Sequence, residues 1–273
     1  MRLRDVVAVA ILLSLTTAAC SRLTFVRPNP KIGKTEPNGP TYDFKDSPEV
    51  KRETALRDRI ALAQARLATG QIDEAERLAQ EALRMDSKSP DVYTVLGVIA
   101  DQRANSAQAG GYYAKAAELA PTQGIALNNY GAWLCGNGRA AESMTWFDRA
   151  LADPAYRERA SAMANSGACA LQAGQLERAE KTLRAALALE PENPVALEAM
   201  ADVQYRGARY MEARAFSERR LAAAPASRAA LRLASLIENK LGDKAAADRY
   251  AQRLRTEFPQ AGAVQQLGEP SQP

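Results

Sequence analysis

Small and bulky positions return along this chain with a long period. Ala75, Ala109, Ser143, Ala179, Ala213 and Ala247 stand 34, 34, 36, 34 and 34 residues apart. Seven residues later Ala82, Ala116, Ala150 and Ala186 keep the same intervals, with Arg220 and Leu254 in the last two places. Gly97, Gly131 and Gly167 mark a second small position earlier in the period, and Pro121, Pro191, Pro225 and Pro259 close it. The physical reading is a pair of antiparallel helices per period, because only Gly, Ala or Ser lets two backbones approach where the helices cross. The second period shows it best, with Tyr93, Leu96 and Gly97 on a first helix, then Ala109, Tyr113 and Ala116 on a second. Six units are predicted, at about 56–89, 90–123, 124–159, 160–193, 194–227 and 228–261. One helical pair cannot bury its apolar face alone, so stacked pairs share a continuous core and coil into a superhelix with a concave side. The third unit is two residues too long, and the surplus falls in "DPAYRER", Asp153 to Arg159, as an extended turn.

This order of small residue, Ala, large residue and Pro resembles the tetratricopeptide repeat. The fold class it implies is all-α, a superhelix of six helix-turn-helix units whose concave face holds peptides or partner proteins. In this register the face is formed by the first helix of each unit. Its candidate partner-binding residues are Ile60, Gln64 and Leu67, then Thr94, Val98 and Asp101, then Ile125, Asn128 and Ala132. The first unit is the most apolar of these, which points to a partner's hydrophobic segment docking there as an amphipathic or extended peptide. Ile60 and Leu67 covering the preceding tether or a neighbouring helix is the other open reading.

The flanks follow a different pattern. Met1 to Cys20 has Arg2 and Arg4, an apolar run from Val6 to Leu15 and a stretch of small residues ending at Cys20. That is the layout of a secretory signal peptide, and it resembles the lipobox of bacterial lipoproteins, with Thr17 where that box most often has Leu. The resemblance implies cleavage of residues 1–19 and lipidation of Cys20. Ser21, in place of an Asp that would retain the protein at the inner membrane, implies sorting to the outer membrane. Several acyl chains would anchor it stably, since each buried CH₂ contributes about 0.8 kcal/mol. Residues 20–50 carry Pro28, Pro30, Pro37, Pro40 and Pro48 and read as a tether whose root-mean-square span is on the order of 30 Å. The repeats are assigned to residues 51–261, and 262–273 read as an unstructured tail.

The chain has no His, which removes Ser/His/Asp and Cys/His nucleophile activation, imidazole metal ligands and the usual general base at neutral pH. The formal net charge is +4, with both signs interspersed and no like-charge block of the kind that marks nucleic-acid arms. A binding protein is expected, with no cofactor, no nucleic acid and no small-molecule substrate.

Units three and four are more specific. "NNYGAWLCGNGR", then "FDRALADPAY", then "ANSGACALQAGQ" look like the PilF/PilW family of type IV pilus assembly lipoproteins. The matching residues are Asn128, Asn129, Tyr130, Gly131, Leu134, Cys135 and Gly138; Ala150, Leu151, Asp153, Pro154 and Tyr156; and Asn165, Gly167, Cys169 and Gly174. Arg157-Glu158-Arg159 stands where the family often carries Pro. The resemblance implies a pilotin, an outer-membrane lipoprotein that helps the pilus secretin to localise and assemble into a multimer. A general outer-membrane repeat lipoprotein scaffolding cell-wall enzymes or membrane-protein assembly is the alternative.

With Cys20 lipidated, Cys135 and Cys169 remain as a pair in an oxidising compartment, which favours a disulfide. They are 34 residues apart, late on the first helices of adjacent units. A thiol oxidoreductase built on the same pair is the enzymatic alternative. It is disfavoured because Cys135 lies near a helix C-terminal end, where the backbone dipole opposes a thiolate. Trp133 reads as core filling off the groove.

Overall fold

The computed structural model describes residues 46–259; the signal segment, Cys20, most of the tether and the tail lie outside them. The described residues form six helix pairs and no strand. They are α1 (Pro48–Ala68) with α2 (Ile72–Met85), α3 (Pro90–Gln102) with α4 (Ser106–Leu119), and α5 (Gly124–Gly136) with α6 (Ala140–Ala152). The series continues with α7 (Arg159–Gln172) and α8 (Leu176–Leu189), α9 (Pro194–Arg206) and α10 (Tyr210–Ala223), and α11 (Arg228–Leu241) and α12 (Lys244–Glu257). None is long and apolar enough to cross a membrane.

Local chemistry sets the ends. Pro occupies the first turn of α1, α3 and α9, where its missing N–H is one that the helix leaves unpaired anyway. Ser47, Asn193 and Ser227 accept hydrogen bonds from Val50, Ala196 and Ala230 amides and so cap α1, α9 and α11. The tether boundary drawn at residue 50 therefore falls inside α1, which starts at Pro48 because Ser47 and Pro48 together make a start signal.

Inside each pair the turn repeats to the residue. Gly70, Gly138, Gly174 and Gly242 have φ of 73, 79, 76 and 84°. At the same place in units two and five, Ala104 and Ala208 are held at φ 56 and 57°. This is the left-handed region that a Cβ disfavours, so the repeat geometry imposes it on two alanines.

Helix crossings follow the small-residue pattern. A Cβ on Gly97 would stand 2.6 Å from Tyr113 Cε1, and one on Gly167 would stand 2.5 Å from Leu183 Cγ. The ring of Phe147 lies over Gly131 in the same way, and Phe147 is fully buried. The surplus residues of unit three also build a crossing. Asp153 accepts from the Gly124 and Ala155 amides, both at 2.8 Å. Those two backbone donors hold its carboxyl below the usual carboxylate range. The turn swings Tyr156 over Gly124, whose added Cβ would meet the ring at 2.5 Å. Tyr156 there joins Ala117, Leu127, Ala150 and Ala162 in the core, and burial pushes its hydroxyl up to about 12. Arg159 donates to the Leu151 carbonyl at 2.8 Å and closes the C-terminal end of α6.

Candidate binding groove

First helices of consecutive units touch one another along the whole array, with no comparable contact between consecutive second helices. The inner wall is thus α1, α3, α5, α7, α9 and α11. Two clefts open along it.

The first cleft, of about 450 Å³, lies in units two and three. Val98, Asp101 and Ala132 meet there, together with Asn129, Tyr113 and Trp133. The Tyr113 hydroxyl donates to Asp101 Oδ2 at 2.9 Å, and burial with the Asp101 acceptor raises the Tyr113 hydroxyl well above the ordinary tyrosine range. Trp133 donates from Nε1 to the Ser106 carbonyl at 3.1 Å, and its ring rests on Gly110, where a Cβ would come within 2.2 Å. It packs between units as the sequence implied, but it also lines the cleft, so placing it off the groove was wrong. Tyr130 stacks on Trp133 at 6.1 Å and meets Trp146 edge-on at 4.7 Å, which fixes the indole that forms the floor.

The second cleft is larger, about 610 Å³, and runs across α7, α9 and α11. Leu171, Val195, Tyr205 and Leu236 supply apolar walls, and Val195 and Leu236 are 45% and 40% exposed. The charged groups are Glu198, Asp202, Arg206, Arg220 and Arg232. Four of them pair. Arg220 Nε donates to Glu198 Oε2 at 3.1 Å, and Arg206 grips Asp202 with two bonds of 3.0 and 2.8 Å. Arg232 has no carboxylate partner among the described residues.

Of the nine residues expected on the groove, three gather in the first cleft. Gln64 and Ile125 are exposed but line neither cleft. Thr94 is half-buried and spends its hydroxyl on the Pro90 carbonyl at 3.1 Å. Leu67 is corrected to a core residue. It is buried with Ala63, Ala75 and Leu78, and Ile60 packs half-buried against the same cluster. The expected docking patch in unit one is thus packed against α2 and α3 as core. Asn128 is likewise buried, 7% exposed, and accepts from Asn165 Nδ2 at 3.4 Å across α5 and α7.

The residues missed were present in the register. Continuing Val98 and Ala132 by 36, 34 and 34 residues gives Ala168, Asp202 and Leu236, and all three line the second cleft. Thr94 and Asn128 lead in the same way to Glu198 and Arg232.

Between the clefts, the Cys135 and Cys169 sulfurs are 2.09 Å apart with Cα atoms 5.8 Å apart, linking α5 to α7. The two extra residues of unit three offset the pair by two positions within their units, and the Cα atoms nevertheless stand close enough for the link.

Tetratricopeptide repeat families match residues 60–124 and 160–193. The type IV pilus assembly protein PilF of Pseudomonas aeruginosa is 27% identical over 209 residues, 76% of this chain and 82% of that protein. Among solved structures, that of PilW, described as a widely conserved type IV pilus biogenesis factor, superposes with a TM-score of 0.69 at 28% identity. It spans 78% of this chain and 97% of that one. The structure of Pseudomonas aeruginosa PilF gives a TM-score of 0.67 at 25% identity over 77% of this chain and 94% of its own.

Proposed function

For a chain homologous to the PilF and PilW type IV pilus assembly proteins and built on their tetratricopeptide superhelix, we propose a pilotin: an outer-membrane lipoprotein adaptor that binds the type IV pilus secretin and promotes its localisation and multimerisation. The observation that carries this is the match to PilW over 97% of that chain, with the specific "NNYG", "DPAY" and "ANSG" segments falling where two units join. A groove with paired charges and apolar walls suits recognition of a polypeptide more than bond-making chemistry. In this reading residues 1–19 are the export signal and Cys20 carries the lipid. The linkage of Cys135 to Cys169 serves in this reading as a structural clip, without a redox role.

Deletion of the chain in its own cell is expected to remove surface pili and twitching and to leave secretin as monomers on a gel of unheated membranes. Normal heat-stable secretin multimers in the deletion strain would overturn the proposal. Replacing Cys20 with Ala is expected to release the protein from membranes into the soluble periplasmic fraction, with loss of incorporated labelled palmitate; retention with the label would refute lipidation there.

A further inference from the structure

The two clefts carry opposite charge. Asp101 is the one charged side chain among the residues lining the first cleft, and it has no cationic partner among the described residues. In the second, three arginines face two carboxylates, and the unpaired one is Arg232. Both clefts open on the same wall, since Val98, Ala132, Ala168, Asp202 and Leu236 occupy one register position. The Asp101 carboxylate, held by the Tyr113 hydroxyl in a cleft that Trp133 also lines, is the chemistry that selects a Lys or Arg side chain by ion pairing. The arginine that lines the second cleft together with Leu171, Val195 and Leu236 selects a carboxylate next to an aliphatic residue.

We propose that the groove reads the direction of an extended partner segment by this polarity: a Lys or Arg of the segment enters the cleft of units two and three, and an Asp or Glu flanked by a Leu-like residue enters the cleft of units four to six. This rests on the reading of the chain as a protein-binding adaptor. First helices pack at roughly 8–10 Å, so the cleft centres lie ~20–25 Å apart. An extended chain covers that distance in about six to eight residues. Equal and opposite charge at the two ends means that a segment inserted backwards brings like charges together in both clefts, which sets orientation more than raw affinity.

The test uses the purified full chain without its lipid and four fluorescent decapeptides, read by anisotropy at low and moderate salt. Each has two charged positions seven residues apart and one Leu beside the second: Lys with Glu, Glu with Lys, Lys with Lys, and Glu with Glu. The Lys-with-Glu peptide, whose Leu stands beside the acid, is expected to bind about tenfold tighter than either like-charged peptide, and tighter than the Glu-with-Lys peptide. Asp101→Lys should move the preference to the Glu/Glu peptide, and Arg232→Glu should move it to the Lys/Lys peptide. Should Asp101→Lys lose its helical circular dichroism, Asp101→Asn should still erase the distinction between Lys and Glu at that end. Equal binding of all four, no binding of any at millimolar concentration, or preferences unmoved by the variants would overturn the proposal. Displacement of the probe by a peptide of residues 260–273 would also overturn it, by making the chain's own tail the occupant. These outcomes are independent of the secretin gel, so polarity can fail while the pilotin reading stands, and the reverse.

Discussion

In units two and three an aromatic ring lies across a glycine at the helix crossing, Tyr113 over Gly97 and Phe147 over Gly131; the equivalent positions of unit five hold Ala201 and Ser217, both buried. The first arrangement buries a large apolar side chain per unit, and unit three adds the α5–α7 link and the Tyr156 turn. Units five and six lean instead on charged pairs. Arg209 reaches Glu180 at 2.9 Å, Arg220 reaches Glu198 at 3.1 Å, and Arg214 binds Glu238 through two nitrogens. A ring over a glycine is nearly pure transfer of apolar surface from water, whereas a half-buried ion pair largely trades one solvation for another. In a stacked array each unit depends on its neighbours alone, so opening is expected to start at α11 and α12 and reach the centre last.

The largest expected effect comes from removing the central ring. Phe147→Ala should cost about 3–5 kcal/mol, because α5 and α6 cannot close the hole above Gly131; the lowered midpoint of the main urea transition measures it. A loss under about 1 kcal/mol would mean that the centre is not held as described. Next, Cys135→Ser with Cys169→Ser should cost about 2–4 kcal/mol through release of the enclosed loop. Alkylation and mass spectrometry of unreduced protein check the premise, since two modified thiols would show that no bridge forms in solution. Glu238→Gln is expected to cost about 1–2 kcal/mol, as Asp243 at 3.8 Å keeps part of Arg214's attraction. Hydrogen exchange should quicken in α11 and α12 only; faster exchange in α5 and α6 would break the contrast between the regions. The smallest effect has the opposite sign. Ala208→Gly should stabilise units four to six by about 0.5–1 kcal/mol, because relief of the left-handed strain outweighs glycine's extra freedom when unfolded. A destabilised variant would show that the turn tolerates the alanine without strain.

The fold was legible because its cause is short-range and repeated. A helix crossing tolerates only a small side chain, and the chain writes that demand six times, down to the displaced interval at Asp153–Tyr156. The groove was legible as a register and misread as a location. Val98, Asp101 and Ala132 were found because the register points them into the cleft of units two and three, but Thr94 and Asn128, in the same register and units, are covered. Leu67 obeys the same register, yet it is buried there, as Cys135 and Leu171 are at that position in units three and four: the register does not separate a free groove position from a covered one. Leu236, Tyr205 and Arg232 went unseen although the interval points straight at them, because a mixed charged and aliphatic wall does not stand out as an apolar patch. Ala104 and Ala208 could not be read at all, since alanine carries no signal for a left-handed turn.

A tetratricopeptide array bends like a jointed rod, with a little compliance at every interface between units. The link between Cys135 and Cys169 removes that compliance from the joint between the third and fourth units, which is the joint separating the two clefts. What remains is two levers on one stiff hinge, one carrying Asp101 and the other Arg232. Their separation then changes through the outer joints of the rod, so the groove acts as a gauge of nearly fixed length. Reducing the bond would loosen the gauge without altering either of its ends.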